Sequence, residues 1–247
     1  MKYSPLFFYR TMPKWKRDKD SIVARFIHRP ISFFFSSLFV QIGLTPNQVS
    51  FISLLIAIAA CGCYLSNSQS CYLLGAILIN IWSITDSADG NMARSLGGKP
   101  YGDFIDATSS YFLVGFIFPA LGWAVYVNGG MLISKGNPLL ILIGGFTGLF
   151  DTMTRLFYQK MKCNTYEIGQ DFQGGKVEVQ NNDSKIKKIQ TRIESELGLG
   201  GWNMIFIIIC SIFLALDYYI IFYFIYYGLV FIASTAFLII KTKCLKR

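Results

Sequence analysis

Residues 86–110 read Asp-Ser-Ala-Asp-Gly-Asn-Met-Ala-Arg-Ser-Leu-Gly-Gly-Lys-Pro-Tyr-Gly-Asp-Phe-Ile-Asp-Ala-Thr-Ser-Ser. Four carboxylates, Asp86, Asp89, Asp103 and Asp106, stand here between two strongly apolar stretches, with glycines and Arg94 among them. Acids at the edge of a bilayer span are expensive and need a compensating charge. An oxygen-rich carboxylate cluster suits a hard divalent ion such as magnesium, manganese or calcium.

Working outward, the flanks decide the fold class. The chain has 247 residues, 53% of them hydrophobic, with a mean hydropathy of +0.45. A soluble domain of this size has no core large enough to hide so much apolar surface in long runs. The expected fold is all-α, an integral membrane protein of six transmembrane helices preceded by an interfacial amphipathic helix. Residues 1–46 form a basic cytosolic segment, in which the run Ile31–Gly43 after Pro30 is too short to span and reads as that interfacial helix. Residues 47–247 form the six-span domain. Thr45-Pro46-Asn47 is a helix-start signature and opens the first span at 49–66. The second runs from Cys71 to the carboxylates, the third over 102–127 and the fourth over 138–158. Residues 159–197 read as a cytosolic loop with a short amphipathic helix at 186–197. The stretch 199–240, with Asp217 as its one charge, suits two spans that bend at that aspartate.

Charge placement supports this topology. Six spans put 22 of the 23 Lys and Arg residues on one side, with Lys135 alone on the other. The positive-inside rule makes the basic side cytoplasmic, with both termini there. The net charge of +9 is thereby absorbed by topology and by anionic lipid headgroups, and no nucleic-acid partner is expected. The charged N-terminus lacks the pattern of a secretory signal peptide. Six cysteines without zinc-ligand spacing read as buried small residues. His28, in a basic segment, reads as a surface residue. The aromatic last span, Tyr218 to Tyr227, reads as packing.

Asp86 and Asp89 share one face at the end of the second span, three residues apart. Asp103, Asp106 and Ser110 share one face of the third. A short connection makes the two helices antiparallel neighbours, so the acids point at each other and form a nest for one or two divalent ions. Two such ions clamp a phosphoryl group and offset charge on the leaving oxygen. Gly90 and Ala93 keep side-chain bulk away from the backbone between the acids. Arg94 is placed to fork onto phosphate oxygens. Asp151 and Arg155, at i and i+4, make either a helix-stabilising ion pair or an anion-holding site, with Lys160 a further candidate.

Asp86-x2-Asp89-Gly90-x2-Ala93-Arg94, followed after seven residues by Gly102-x3-Asp106, resembles the signature of the CDP-alcohol phosphatidyltransferase family. That pattern is D-x2-D-G-x2-A-R, seven or eight residues, then G-x3-D-x3-D, and seven of its fixed positions are met. The resemblance implies an acceptor hydroxyl attacking the phosphorus that carries the alcohol, with CMP leaving and a phosphodiester forming in the membrane. It implies Asp86, Asp89 and Asp106 as metal ligands, with Mg2+ or Mn2+ as the ion. It also implies Asn47, Asp89, Gly90, Ala93, Arg94 and Gly102 around a CDP-alcohol donor, and Arg155 and Lys160 toward the acceptor. The acceptor is a lipid, a sugar phosphate or a glycan precursor, and family members are usually homodimers. A bacterial inner membrane is the expected location.

One position departs. The fourth motif aspartate, the family's proposed base, is Ser110 here. Asp103 on the same face supplies the missing carboxylate, or the acceptor is already ionised, or transfer has been lost while CDP-ligand binding remains. A transporter with an acidic metal site is the other class. Against it, the acids lie at span ends rather than at the midplane of repeated halves.

Overall fold

The computed structural model describes residues 3–98, 101–167 and 192–245, with side chains through 164 and through 240 in the last two stretches. Among these residues the chain is helical and holds no strand. Helices α1 (Pro5–Thr11) and α2 (Lys14–Lys19) lead through a π-helical turn, Ala24–His28, into α3 (Arg29–Gln41). Then come α4 (Pro46–Tyr64), α5 (Gln69–Leu96), α6 (Gly102–Asn128), α7 (Leu139–Glu167), α8 (Asn203–Ile212) and α9 (Leu216–Leu245).

Five of these, α4, α5, α6, α7 and α9, are long and apolar enough to cross a membrane. Helix α8 has 10 residues, about 15 Å at the helical rise, half of a hydrocarbon core. The stretch 199–240 bends before Asp217 as expected, with Leu214 at φ 52, and its first limb is a shorter apolar helix, so five spans are established by length and the sixth is not. The fourth helix runs on through Glu167, so the expected loop at 159–197 begins later. Residues 192–197 are helical, and the rest of the expected helix at 186–197 lies outside the described residues.

Local signals explain the element starts. The capping box at Thr45 is complete, with Gln48 N–H donating to Thr45 Oγ1 and Thr45 N–H donating to Gln48 Oε1 at 2.9 Å. Pro46 occupies the first turn, where its missing N–H is no loss. Helix α5, at 28 residues, is about 42 Å long, so its last turns carry Asp86 to Arg94 out to the membrane border. Helix α4 packs on α5 and α6, α6 on α7, and α7 on α9. Close approach of α6 and α7 depends on small residues: a Cβ on Gly148 would stand 2.8 Å from the Gly115 carbonyl oxygen. Phe51, Leu55, Leu142, Phe146, Ile225 and Ile232 remain exposed along the span surfaces, as lipid-facing side chains are.

The interfacial helix is present, yet its polar face looks inward. Ser32, Ser36 and Ser37 are buried while Ile31, Phe34 and Leu38 are exposed. Ser36 Oγ donates to the Ala88 carbonyl at 3.2 Å, and Asn91 Nδ2 donates to Ser32 Oγ at 3.0 Å. A serine-bearing face thus packs on the acid-bearing end of α5, and the apolar face is left for lipid.

His28 corrects the sequence reading: it is 1% exposed, wedged against α5. Asn80 spends both amide hydrogens on the Ala76 and Met204 carbonyls, so its Oδ1 accepts from His28 Nε2–H at 3.3 Å. His28 Nδ1 meets the Ser83 hydroxyl at 3.2 Å, from which a neutral imidazole accepts. Burial accordingly holds its pKa below the ordinary value, with the Asn80 hydrogen bond opposing and the Arg29 charge reinforcing. The cysteines divide: Cys61 is buried and Cys163 is exposed. The last-span aromatics pack as expected, with Phe118 stacked on Tyr219 at 6.1 Å.

Candidate active site

The ends of α4, α5 and α6 meet around a cavity of about 320 Å³. Its lining includes Asn47, Ser50, Asp89, Gly90, Ala93, Arg94, Gly102, Asp103 and Asp106. Helix α5 ends at Gly97 (φ 92), and α6 begins after Tyr101, which adopts the left-handed conformation at φ 62. This reversal lays the two acid-bearing helix ends side by side.

Two glycines set the shape. A Cβ on Gly90 would fall 3.1 Å from Arg94 Nη1, so the glycine lets the guanidinium fold back over the helix. There it donates to Asn91 Oδ1 at 3.0 Å. A Cβ on Gly102 would sit 3.3 Å from Asn47 Oδ1, so the third span starts in near contact with the first turn of α4.

The acids fall into two environments. Asp89 is 4% exposed and accepts from Ser50 Oγ at 2.5 Å. Asp86 and Asp106 are in hydrogen-bonding contact with each other, and Asp86 Oδ1 is buried with no partner. Two carboxyl groups in contact repel when both are ionised, and a shared proton or a cation relieves the repulsion. A buried acceptor left without a donor points to the same need. The donor set is all oxygen, as a magnesium-type ion prefers. Among the described residues no three His, Cys, Asp or Glu side chains converge on one point. The reason is visible in Asp89, whose carboxylate is turned to Ser50 rather than to the Asp86–Asp106 pair.

The remaining candidates separate clearly. Asp103 lines the cavity beside Asp106, whereas Ser110 does not reach it. The neighbouring Ser109 is buried, bonded to Ser53 Oγ at 2.9 Å and accepting from Trp82 Nε1 at 2.8 Å. Arg155 is held by Asp151 in a two-pronged pair, at 3.0 and 3.2 Å. Neither it nor the exposed Lys160 lines this cavity.

Sequence reasoning missed a polar network behind the motif. Arg29, 7% exposed, forks onto Asp20 at 2.8 and 3.1 Å and also donates to Asn91 Oδ1 at 3.3 Å. Asn91, a variable position of the motif, therefore ties Arg94 to the N-terminal segment. The only hint was the phase of Arg29, Ser32 and Ser36 on one helix face. Lys16 lies 3.7 Å from Asp20, and burial and the Arg29 charge push its pKa down.

The family model described as CDP-alcohol phosphatidyltransferase matches residues 43–193, more than half of the chain. A phosphatidylinositol phosphate synthase of Streptomyces avermitilis is 30% identical over 97 residues. That match covers 39% of this chain and 38% of the relative. With six of the seven matched motif residues lining one cavity and the family match running through it, the chain belongs to the CDP-alcohol phosphatidyltransferase family.

Proposed function

We propose that the protein transfers a phospho-alcohol group from a CDP-alcohol to an acceptor hydroxyl, releasing CMP and leaving a phosphodiester in the membrane. The observation that carries this reading is the Asp86–Asp106 contact with an orphaned buried oxygen, beside a cavity lined by the other motif residues. Asp86, Asp89 and Asp106 would hold the divalent metal, Mg2+ with Mn2+ as substitute, once Asp89 turns from Ser50. When bound, such an ion would offset charge on the phosphoryl oxygens and on the departing CMP.

The chain's own residues do the rest. Arg94 supplies a bidentate donor to the diphosphate. Asn47, Gly90, Ala93 and Gly102 shape the nucleotide end of the cavity, their small or short side chains admitting the ligand to the backbone. Asp103 takes the acceptor's proton as the acceptor oxygen bonds to phosphorus and the phosphorus–oxygen bond to CMP breaks. Its place in the lining, which Ser110 lacks, is what supports it as the base. Arg155, oriented by Asp151, and Lys160 would act on the acceptor.

The acceptor is a lipid, sugar phosphate or glycan precursor. The setting we propose is a bacterial inner membrane, with the cavity and both termini cytoplasmic and the protein a homodimer. Phospholipid synthesis is the natural context. The test is CMP release by the purified protein in lipid nanodiscs, offered a panel of CDP-alcohols and acceptors with and without Mg2+. Metal-dependent CMP release establishes transfer. CDP binding without turnover across the panel identifies a catalytically impaired binding protein instead.

A further inference from the structure

Asn91, at a variable position inside the acidic motif, is 2% exposed, and its amide is fully used. Its Oδ1 accepts from Arg94 Nη2 at 3.0 Å and from Arg29 Nη1 at 3.3 Å. Its Nδ2 donates to Ser32 Oγ at 3.0 Å and to Ser36 Oγ at 3.4 Å. Chemistry dictates which end of the amide faces which neighbours. Arginines only donate, so the oxygen must face them. Ser32 and Ser36 send their hydroxyl hydrogens to the Arg29 and Ser32 carbonyls, at 2.9 and 2.7 Å. Their lone pairs are thereby left for the amide hydrogens. Three residues of α3 fix Asn91, and Asn91 in turn holds Arg94.

Of these five residues, Arg94 alone lines the 320 Å³ cavity. Arg29 stands on the other side of Asn91, in the wall of a second cavity of about 210 Å³ that Asp86 also lines. It reaches the shared oxygen with its charge already offset by Asp20, onto which it forks at 2.8 and 3.1 Å. Arg94, by contrast, is held here by a neutral partner. A carboxylate at position 91 would grip the guanidinium harder, but it would compete with any anionic ligand for the same fork. An amide oxygen fixes the group in place and leaves its charge for the ligand.

We infer that Asn91 is a positioning residue for the donor site: backed by Arg29, Ser32 and Ser36 of α3, it presets the Arg94 guanidinium that receives the diphosphate. Helix α3, none of whose residues lines the larger cavity, thereby contributes to donor affinity, because a preset fork costs less to order on binding. The inference rests on the proposed CDP-alcohol reading, in which Arg94 is the partner of the diphosphate.

The experiment is a double-mutant cycle on the full chain in lipid nanodiscs, read by CDP binding in the presence of Mg2+. Asn91→Leu should weaken CDP about 10-fold, and Arg94→Gln at least as much. The Asn91→Leu, Arg94→Gln double variant should bind no more weakly than Arg94→Gln alone, because Asn91 acts through Arg94. A merely structural role would instead add its loss to that of Arg94→Gln. Asn91→Asp, which keeps an acceptor for Arg94, should still weaken CDP, since its charge competes for the fork. If melting shows that Asn91→Leu does not fold, Ser32→Ala takes its place in the cycle, with a loss of about threefold. Losses that add in full, or CDP binding as tight as wild type in the Asn91 variants, overturn the inference and leave the CDP-alcohol reading intact. A wild-type protein that does not bind CDP would sink both.

Discussion

Two groups of acids sit at opposite ends of the helical bundle, and they are handled in opposite ways. At one end Asp217 is fully buried, and its carboxylate accepts from the backbone N–H groups of Leu132, Ile133 and Tyr218. Every oxygen has a donor, so the acid is a clasp that holds the 129–137 turn onto the start of α9. At the other end Asp86 and Asp106 face each other, and one Asp86 oxygen is buried without a donor. The first acid is complete within the protein; the second pair is complete only with something added. A carboxylate's function is thus read from what its surroundings leave unsatisfied.

The largest effect that would break this contrast lies at the unsatisfied end. Asp86→Asn and Asp106→Asn should each lower CMP release by about 100-fold or more. The metal-free protein should melt at the same temperature or higher, because one of two repelling carboxylates is gone. Turnover near wild type in either variant would remove the pair from the chemistry. Chelation with EDTA should likewise abolish release, and Mg2+ should restore it.

Next in size, Asp103→Asn should cost about 100-fold in turnover with melting unchanged, whereas Ser110→Ala should stay within about threefold. The reverse ranking would return the base to the motif position and undo the argument from the cavity lining. At the satisfied end, Asp217→Ala should destabilise the fold by about 2–3 kcal/mol, since three N–H groups lose a charged acceptor. Activity per folded molecule should not change, and a specific loss of CMP release would show that the clasp reaches the site.

The smallest effect is a pH dependence at His28. Burial depresses its folded pKa, so on acidification the unfolded chain takes up the proton first. The stabilisation is fully present above the unfolded value near 6.5 and is lost as pH falls below it toward the lower folded pKa. Melting temperatures at pH 5.5 and 7.5 should therefore differ more in the wild type than in His28→Gln.

Much of this was legible in the linear chain because it rests on short-range rules. Hydropathy located the long helices, Thr45 and Pro46 marked a start, and the spacing from Asp86 to Asp106 named the acids that line the cavities. Span number was less legible, because composition alone could not say that the limb before Asp217 would hold only 10 helical residues. His28 was misread for a related reason: a basic neighbourhood in sequence says nothing of the Asn80 and Ser83 partners that packing brings to it.

The sequence by itself determined the helical class, the acidic motif and the vacancy at Ser110, since each is a property of residue type and spacing. Tertiary structure alone decided that Asp103 and not Ser110 faces the cavity, that Arg155 pairs with Asp151, and that Asp86 meets Asp106. Those outcomes depend on helix rotation and on contacts between segments far apart in the chain. The residues between 86 and 110 state which acids are present, and the packing of α2, α3 and α4 around them settles what each acid meets.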